Sequence, residues 1–410
     1  MRQIGLFKGV MISLVLVVLL FVHSPLLSID FFALKDSIIN NSWKKIGFVY
    51  VQPAVMVQNA GYSSNIFSYN DIVRPDYRAD LGFNVTLSAF LGKRFIISIE
   101  ENPFYTFYAE NKDQEYFNNI LRGNIHTWFG RFNLTYSYSY ENVKRQPSSE
   151  FGADVISNVT GHSIALDYGR HDILFVTMFY NDRSVRFSEK NYFGDIDLSQ
   201  RLDRNESVWG GQLNKVIFTR TIIYLKGERY RFRYNFEDIK DGTGTRLSIG
   251  IKFPEIGPVE GDFSVGMNYF VPGDTAASKY NRIIGRGKVS VRPVRSLRLR
   301  VGYVLDNTYS FWSESAYFVE EGYNGAIDYY IGKRLRAGLE YNTGTNTYYF
   351  VNGDPAGRID SSSTRSITLG YRLSGKFGIG LYYSRFSLST DVIEFSRSYN
   401  FIGGYFTHDF

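Results

Sequence analysis

Long stretches of this chain alternate between apolar and polar residues. In the clearest stretch, Arg131 to Glu141, the even positions are aromatic or aliphatic and the odd positions are polar. Successive side chains of a β-strand point to opposite faces, so the stretch predicts a strand with one apolar and one polar face. Leu297–Leu305 and Leu335–Tyr341 repeat the pattern. Strands this long and this sharply divided are typical of a barrel wall between lipid and water.

Short and long connections alternate between the predicted strands. The predicted short turns are Gly92–Arg94, Gly130–Arg131, Gly169–Arg170, Phe218–Arg220, Ile256–Pro258, Pro293–Arg295, Gly332–Arg334 and Gly375–Lys376. Longer polar segments, such as Ser188–Glu206 and Asn352–Ser363, separate them. This alternation is expected when turns face the periplasm and loops face the outside. The pattern predicts an all-β, transmembrane, antiparallel up-and-down β-barrel of about 18 strands, with sixteen as the alternative.

Composition alone fits a membrane barrel and a large soluble all-β protein equally well. Aromatic residues make up 17% of the chain, and the mean hydropathy is −0.20. The N-terminus favours export, because Arg2 and Lys8 precede the apolar run Val10–Val22, which has the length of a signal-peptide core. Cleavage is expected after Ser28 or Ala33, and we favour Ser28; a retained membrane anchor is the alternative. We therefore predict a signal peptide at residues 1–28, a short periplasmic segment at 29–45 and an outer-membrane barrel at 46–410.

The last segment of the chain predicts a closing strand that ends on an aromatic residue. Ile402, Phe406 and Phe410 share one face of this strand. A terminal Phe behind alternate apolar positions resembles the signal read by the barrel-assembly machinery, which is therefore a predicted partner. His408 departs from the aromatic or aliphatic residue usual at its position.

A family resemblance covers about the first 60 residues of the predicted mature chain. A strand that begins near Pro53 is followed by an element with Tyr62, Asn65 and Phe67 at fixed spacing, and then by Asp71-Ile72-Val73. This arrangement resembles the start of the β-barrel porin type 2 family. The resemblance implies an outer-membrane barrel, and several members are associated with exopolysaccharide export.

Basic residues dominate the face predicted to line the barrel interior. The predicted pore-lining cations are Arg229, Arg231, Arg233, Arg282, Arg286, Lys288, Arg292, Arg298, Arg300, Arg334, Arg336 and Arg372. Fixed cations in a water-filled tube raise the local concentration of anions. The alternative is a rigid network in which these cations pair with the predicted pore-lining acids Glu141, Asp262 and Glu340 and with an inward Glu228. Lys93, Lys333 and Lys376 lie at turn tips, where we expect contacts with anionic lipid head groups; a positive collar at the periplasmic mouth is the alternative.

The predicted function is a passive outer-membrane channel for an anionic exopolysaccharide or small anions. The alternative is a structural or adhesive barrel, plugged by its own loops, that binds an external partner. Outer-membrane lipid and lipopolysaccharide are further expected partners, whereas no cofactor, metal or nucleic acid is expected. We also predict no catalysis, because the adjacent His162 and Ser163 would point to opposite faces of a strand.

Overall fold

Eighteen antiparallel strands form a closed barrel, as the alternation predicts. The computed structural model describes residues 31–66, 73–146, 154–188, 192–193, 196–218, 220–236, 240–273, 280–310, 315, 317–349, 355–374, 376–391 and 396–410. The barrel strands are β1 (Val49–Ser63), β2 (Asp76–Leu91), β3 (Phe95–Tyr108), β4 (Tyr116–Phe129), β5 (Phe132–Arg145), β6 (Val155–Arg170), β7 (Leu174–Phe187), β8 (Arg204–Ile217), β9 (Thr221–Tyr234), β10 (Gly242–Ile256), β11 (Val259–Pro272), β12 (Tyr280–Val294), β13 (Leu297–Tyr309), β14 (Tyr317–Ile331), β15 (Leu335–Tyr349), β16 (Pro355–Arg372), β17 (Phe377–Thr390) and β18 (Arg397–Asp409).

The connections give the barrel two different ends. Connections of a few residues, such as Gly92–Arg94 between β2 and β3, gather at one end, which we call the turn end. The longer connections gather at the opposite end, the loop end. The first barrel strand starts at the turn end and the last strand finishes there, at Asp409. Every second connection is therefore short, which confirms the predicted rhythm.

The two faces of the wall differ in the way that the alternation predicts. On β2, Leu81, Phe83 and Leu87 are exposed on the outer face. The side chains at the alternate positions of β2 point inward. One of them is Ser88, whose hydroxyl lies 2.8 Å from that of Ser98 on β3. A wall with an apolar outside and a polar inside suits a bilayer, and closure of the sheet pairs the backbone groups of its first and last strands.

The seam between β1 and β18 closes the barrel. Pro53 has no N–H to donate, and it lies where β1 exchanges one pairing partner for another. The residues of β1 before Pro53 pair with a three-residue strand, Lys44–Ile46. The residues after Pro53 pair with β18. The N–H of Phe410 donates to the Pro53 carbonyl at 3.2 Å. A register shift follows at Asn59, which has a positive φ and bonds Asp80 on β2 and, across β18, Tyr382 on β17.

A helix, α1 (Phe31–Asn41), lies against the inner wall near the turn end. Lys35 stacks on Phe90 with its Nζ 5.4 Å from the ring centre. Leu34 and Ile38 of α1 line a cavity of about 170 Å³ with inward residues of β1 to β4, including His126. Most of the segment predicted at 29–45 therefore packs against the barrel. Among the described residues, no helix is long and apolar enough to cross a membrane.

Apolar clusters fill part of the loop end. A short helix, α2 (Leu198–Leu202), packs Leu198 and Leu202 against inward valines of β6 and β7. Tyr317 and Tyr349 pack on Tyr230 and Phe270 from the far side of the wall. This contact is possible because β12 and β13 separate beyond the Gly285–Leu305 pair, so that the tips of β13 to β15 lean into the barrel.

Candidate functional site: the basic barrel interior

Strands β9 to β13 bring charged side chains together in the middle of the barrel. Arg286 and Lys288 point inward from β12, as predicted, because their ladder partners Ser264 and Asp262 are inward residues of β11. They line a cavity of about 650 Å³. Neither cation has an ion pair with a described acidic residue.

Four further charged residues of this cavity were not among the predicted site residues. They are Lys226, Arg246, Lys252 and Asp306. Arg246 donates to Asp306 at 2.9 Å and lies 3.6 Å from Glu228, which also pairs with Lys226. The alternation of Leu247, Ile249 and Ile251 with polar neighbours already places the side chain of Arg246 inward, so the sequence held this signal.

Two predicted cations share one acid farther toward the turn end. Arg300 of β13 donates to Asp328 at 3.0 Å, and Arg336 of β15 donates to it at 2.6 Å. Arg298 donates to Ser290 at 2.8 Å and lies 3.4 Å from Glu260. These three arginines point inward as predicted, but their acid contacts match the paired network that was the alternative interpretation.

A second cavity, of about 520 Å³, opens at the turn end, and we call it the mouth cavity. Its basic lining residues are Arg292, Arg295, Arg298, Lys333, Arg334, Arg336, Arg372 and Lys376. Among its described lining residues, Asp409 is the acid. Arg334 and Arg372 have no ion pair with a described acidic residue. Lys333 and Lys376 line this cavity, and this placement favours a positive collar over the expected lipid contact.

The remaining predicted interior residues lie nearer the loop end or between charged neighbours. Arg282 faces inward and stacks on Tyr349 with its guanidinium 4.6 Å from the ring centre. Glu141 pairs with Arg145 at 2.8 Å. Asp262 accepts a hydrogen bond from Tyr224 at 3.0 Å, and Glu340 accepts one from Asn342 at 2.9 Å. All three predicted acids therefore face the interior.

The prediction that Arg229, Arg231 and Arg233 line the pore is wrong. Their side chains share the outer face of β9 with Leu225, and they alternate with the buried Tyr230. The ladder is continuous, with Arg229 opposite the exposed Trp209 of β8. The prediction assumed that apolar side chains face the lipid, whereas here they point inward. Tyr230 and Phe232 pack in the aromatic cluster at the loop end. The usual alternation of the barrel is therefore inverted over the upper half of β9.

The other predicted positions were chosen for roles outside the pore. Ile402, Phe406 and His408 share the outer face of β18, next to the seam. Tyr62 lies in β1, and Asn65 is buried and accepts a 3.4 Å hydrogen bond from the Arg74 N–H. Phe67 of the family motif and the predicted signal peptide lie outside the described residues. Their predicted roles in assembly and family membership stay predictions.

The structure keeps the residues considered for catalysis apart. His162 lies on the outer face of β6, 3.0 Å from the Tyr136 hydroxyl, whereas Ser163 points inward and donates to Asn181 at 2.6 Å. The predicted opposition of these two side chains is confirmed. Within the described residues, no group of three or more His, Asp or Glu side chains is placed to hold a metal ion.

Solved structures match this fold, whereas no protein-family model and no curated protein matches the chain. The BenF-like porin from Pseudomonas fluorescens Pf-5 aligns with a TM-score of 0.52 at 11% identity, over 89% of this chain and 99% of that one. OccK2 (OpdF) from Pseudomonas aeruginosa aligns with a TM-score of 0.50 at 13% identity, over 88% and 97%. Its complex with glucuronate aligns with a TM-score of 0.50 at 12% identity, over the same shares. The chain is therefore similar in fold to outer-membrane porins, and membership of the porin type 2 family stays a prediction.

Proposed function

We propose that this protein is a passive outer-membrane channel for small organic anions. The observation that carries the proposal is the mouth cavity, where eight basic residues and one described acid, Asp409, form the charged lining. Of the eight, only Arg298 and Arg336 form ion pairs with described acids, which lie beyond the cavity. Short turns lie on the periplasmic side of outer-membrane barrels, so this cavity would be the periplasmic mouth. An anion inside the barrel would meet an excess of positive charge there.

The interior charge reaches from the mouth cavity to the middle of the barrel. Arg334 and Arg372 lie at the mouth, and Arg286 and Lys288 lie in the central cavity. Charges within about 8 Å of each other add their potentials at physiological salt. Low-dielectric walls also focus the field along the water-filled path. The resulting field would favour anions over cations at every point where a carboxylate does not neutralise it.

The ligand class follows from the donors and from the room at the loop end. Arginine binds carboxylates through a planar fork of N–H donors. The solved OccK2 complex carries glucuronate, a sugar acid with such a group. The tips of β13 to β15 lean into this barrel, and a single sugar acid needs less space than a polymer. We therefore favour small anions, and export of an anionic exopolysaccharide stays a prediction.

Planar-bilayer recording of the purified barrel tests this proposal. A salt gradient of potassium chloride should give a reversal potential on the anion-selective side, and added glucuronate should reduce the chloride current. A conducting pore that prefers potassium would contradict the proposed anion selectivity.

The second candidate function is the loop-plugged barrel that binds an external partner. The observation in its favour is the pair of apolar clusters at the loop end, which includes α2. The same recording separates the two functions, because a plugged barrel inserts into the bilayer without steady conductance.

A further inference from the structure

Three arginines form a row on the outer face of β9, and we call Arg229, Arg231 and Arg233 the outer arginine row. All three side chains are exposed. Their ladder partners on β8 are Trp209, Ser207 and Asn205, and these also face outward. The row occupies the loop-end half of the strand, and the exposed Leu225 and Ile223 follow toward the turn end.

The position of the row along the strand decides what surrounds it. A lipid-facing Arg is costly at the bilayer midplane, and the cost falls to little near either interface. Aromatic residues mark those interfaces. Trp209 lies beside Arg229 on the outer face, so the apolar band ends at the level where the row begins. The guanidinium groups of the row therefore lie at the level of the lipid head groups, on the loop side of the membrane.

The described protein offers these cations no counter-ion. None of the three arginines has a hydrogen bond or an ion pair with a described residue. The nearby carboxylates are Asp241, which precedes β10 and takes its hydrogen bond from the Tyr234 N–H, and the outward Asp182 of β7, which lies opposite Ser207 and takes its hydrogen bond from Tyr180; neither forms an ion pair with the row. Ser207 thus separates Asp182 from Arg231, and the two lie about 10 Å apart across two strand spacings.

A second outward pair repeats this arrangement on the other side of the barrel. Arg365 of β16 and Arg385 of β17 are direct ladder partners, and both are exposed. Like charges directly opposite each other destabilise a sheet unless an anion lies between them. Arg365 stacks on Tyr341 at 5.7 Å, again beside an aromatic residue of the outer face. Among the described residues, two separate places on the outer surface therefore carry positive charge without an acid as ion-pair partner.

We infer that the outer arginine row binds the phosphate groups of an anionic glycolipid in the outer leaflet. Arginine forms two parallel hydrogen bonds to phosphate oxygens, and charge assistance strengthens both bonds. Outward positions two residues apart are about 6.6 Å apart along a strand, so adjacent guanidinium groups can hold the phosphates of one head group. This inference rests on the proposed outer-membrane location, and it does not require the barrel to conduct.

The test uses the refolded full-length barrel in detergent and purified lipopolysaccharide with and without its lipid-A phosphates. Native mass spectrometry and the midpoint of heat-induced gel mobility report binding. The wild type should bind the phosphorylated glycolipid about tenfold more tightly than the dephosphorylated form, as expected for a few charge-assisted bonds. Replacing the row by glutamine (R229Q, R231Q and R233Q together) should abolish this preference.

The matched control is Lys215→Gln, which removes an outward cation at the turn end of the adjacent strand β8. This variant should keep the wild-type preference for phosphate. Equal binding of both glycolipids by the wild type, or an unchanged preference in the triple variant, would overturn the inference. Recording the triple variant in phosphatidylcholine bilayers keeps the two proposals apart, because ion selectivity there should match the wild type whether or not the glycolipid binds.

Discussion

Arg300 and Arg336 share a single counter-ion although they lie on strands that are not neighbours. Arg300 of β13 and Arg336 of β15 both donate to Asp328, on β14 between them. The Asp328 side chain is only 4% exposed, whereas the two arginine side chains are 45% exposed or less. The inward wall thus contains cations that structure the barrel as well as cations that are free to act on an ion in transit.

The first prediction concerns this shared acid. Asp328→Asn should lower the free energy of unfolding by about 1–2 kcal/mol, because it removes a nearly buried charge from two part-exposed arginines. The midpoint of heat-induced gel mobility measures the effect. Glu340→Gln is the control, because Glu340 is exposed and accepts one hydrogen bond from Asn342. Equal shifts in the two variants would mean that Asp328 has no special structural role.

The second prediction concerns the two faces of β10. Ile249 is an exposed outer residue between Leu225 and Val265, and Ser248 beside it lines the central cavity. Arg at position 249 should destabilise the barrel by about 2–4 kcal/mol if it lies near the bilayer midplane. Arg at position 248 should be tolerated because the interior is polar. Folding titrations in lipid vesicles compare them, and similar losses at both positions would contradict the assigned faces.

The fold was predictable because a membrane barrel imposes one pattern on every strand. All of the stretch Arg131–Glu141 except Arg131 lies in β5, and its polar positions point inward, with Ser137 bonded to Asn124 inside. The prediction of a loop at Asn352–Ser363 was wrong from Pro355 onward, because β16 begins there. Ser361, Ser362 and Ser363 pair with neighbours on both sides, which a polar sequence beyond the apolar band cannot indicate.

The site was predictable only where the alternation continued to the end of a strand. Arg286 and Arg300 alternate with apolar outer residues, and both point inward. On β9 the alternation also exists, but its sense is inverted, because Tyr230 packs with Phe270 inside the loop end. The separation of β12 from β13 creates that aromatic cluster, and this is a tertiary feature that no local pattern specifies.

The third prediction concerns the end of the chain. Replacing Phe410 by Ser should sharply reduce the amount of folded barrel in the outer membrane, because Phe410 follows the seam strand β18, bonds Pro53 of β1 and has its ring centre 4.5 Å from that of His408. The folded band in unheated gels measures assembly. Thr407→Ser is the control, since Thr407 points inward on the same strand. Wild-type amounts of the folded band in the Phe410 variant would argue against an assembly signal.

The fourth prediction concerns pH and the loop end. Burial raises the pKa of the Asp203 carboxyl, which follows α2 and accepts a 2.7 Å hydrogen bond from the Phe187 N–H. A folded-state pKa above the unfolded value, about 3.9, means that ionisation favours unfolding. The penalty is absent below pH 4 and grows as the pH rises through the folded-state pKa. Asp203→Asn keeps an acceptor oxygen, so its unfolding midpoint should exceed the wild-type value at pH 7.5 and match it near pH 4. A gain of the same size at both pH values would show that the carboxyl charge is not the cause.

The last prediction concerns the cations that carry the proposed selectivity. Arg286, Lys288, Arg334 and Arg372 point into the two cavities without a described acid as ion-pair partner, so glutamine at all four positions leaves no orphaned carboxylate. Folding should survive, whereas the interior field should collapse, because neighbouring charges within about 8 Å no longer add. The reversal potential in a potassium chloride gradient should move from anion preference toward zero. Lys215→Gln removes one outer cation and should leave that potential unchanged. If the quadruple variant keeps the full anion preference of the wild type, other groups set the selectivity, and Arg246 and Lys252 in the same central cavity are the next cations to replace.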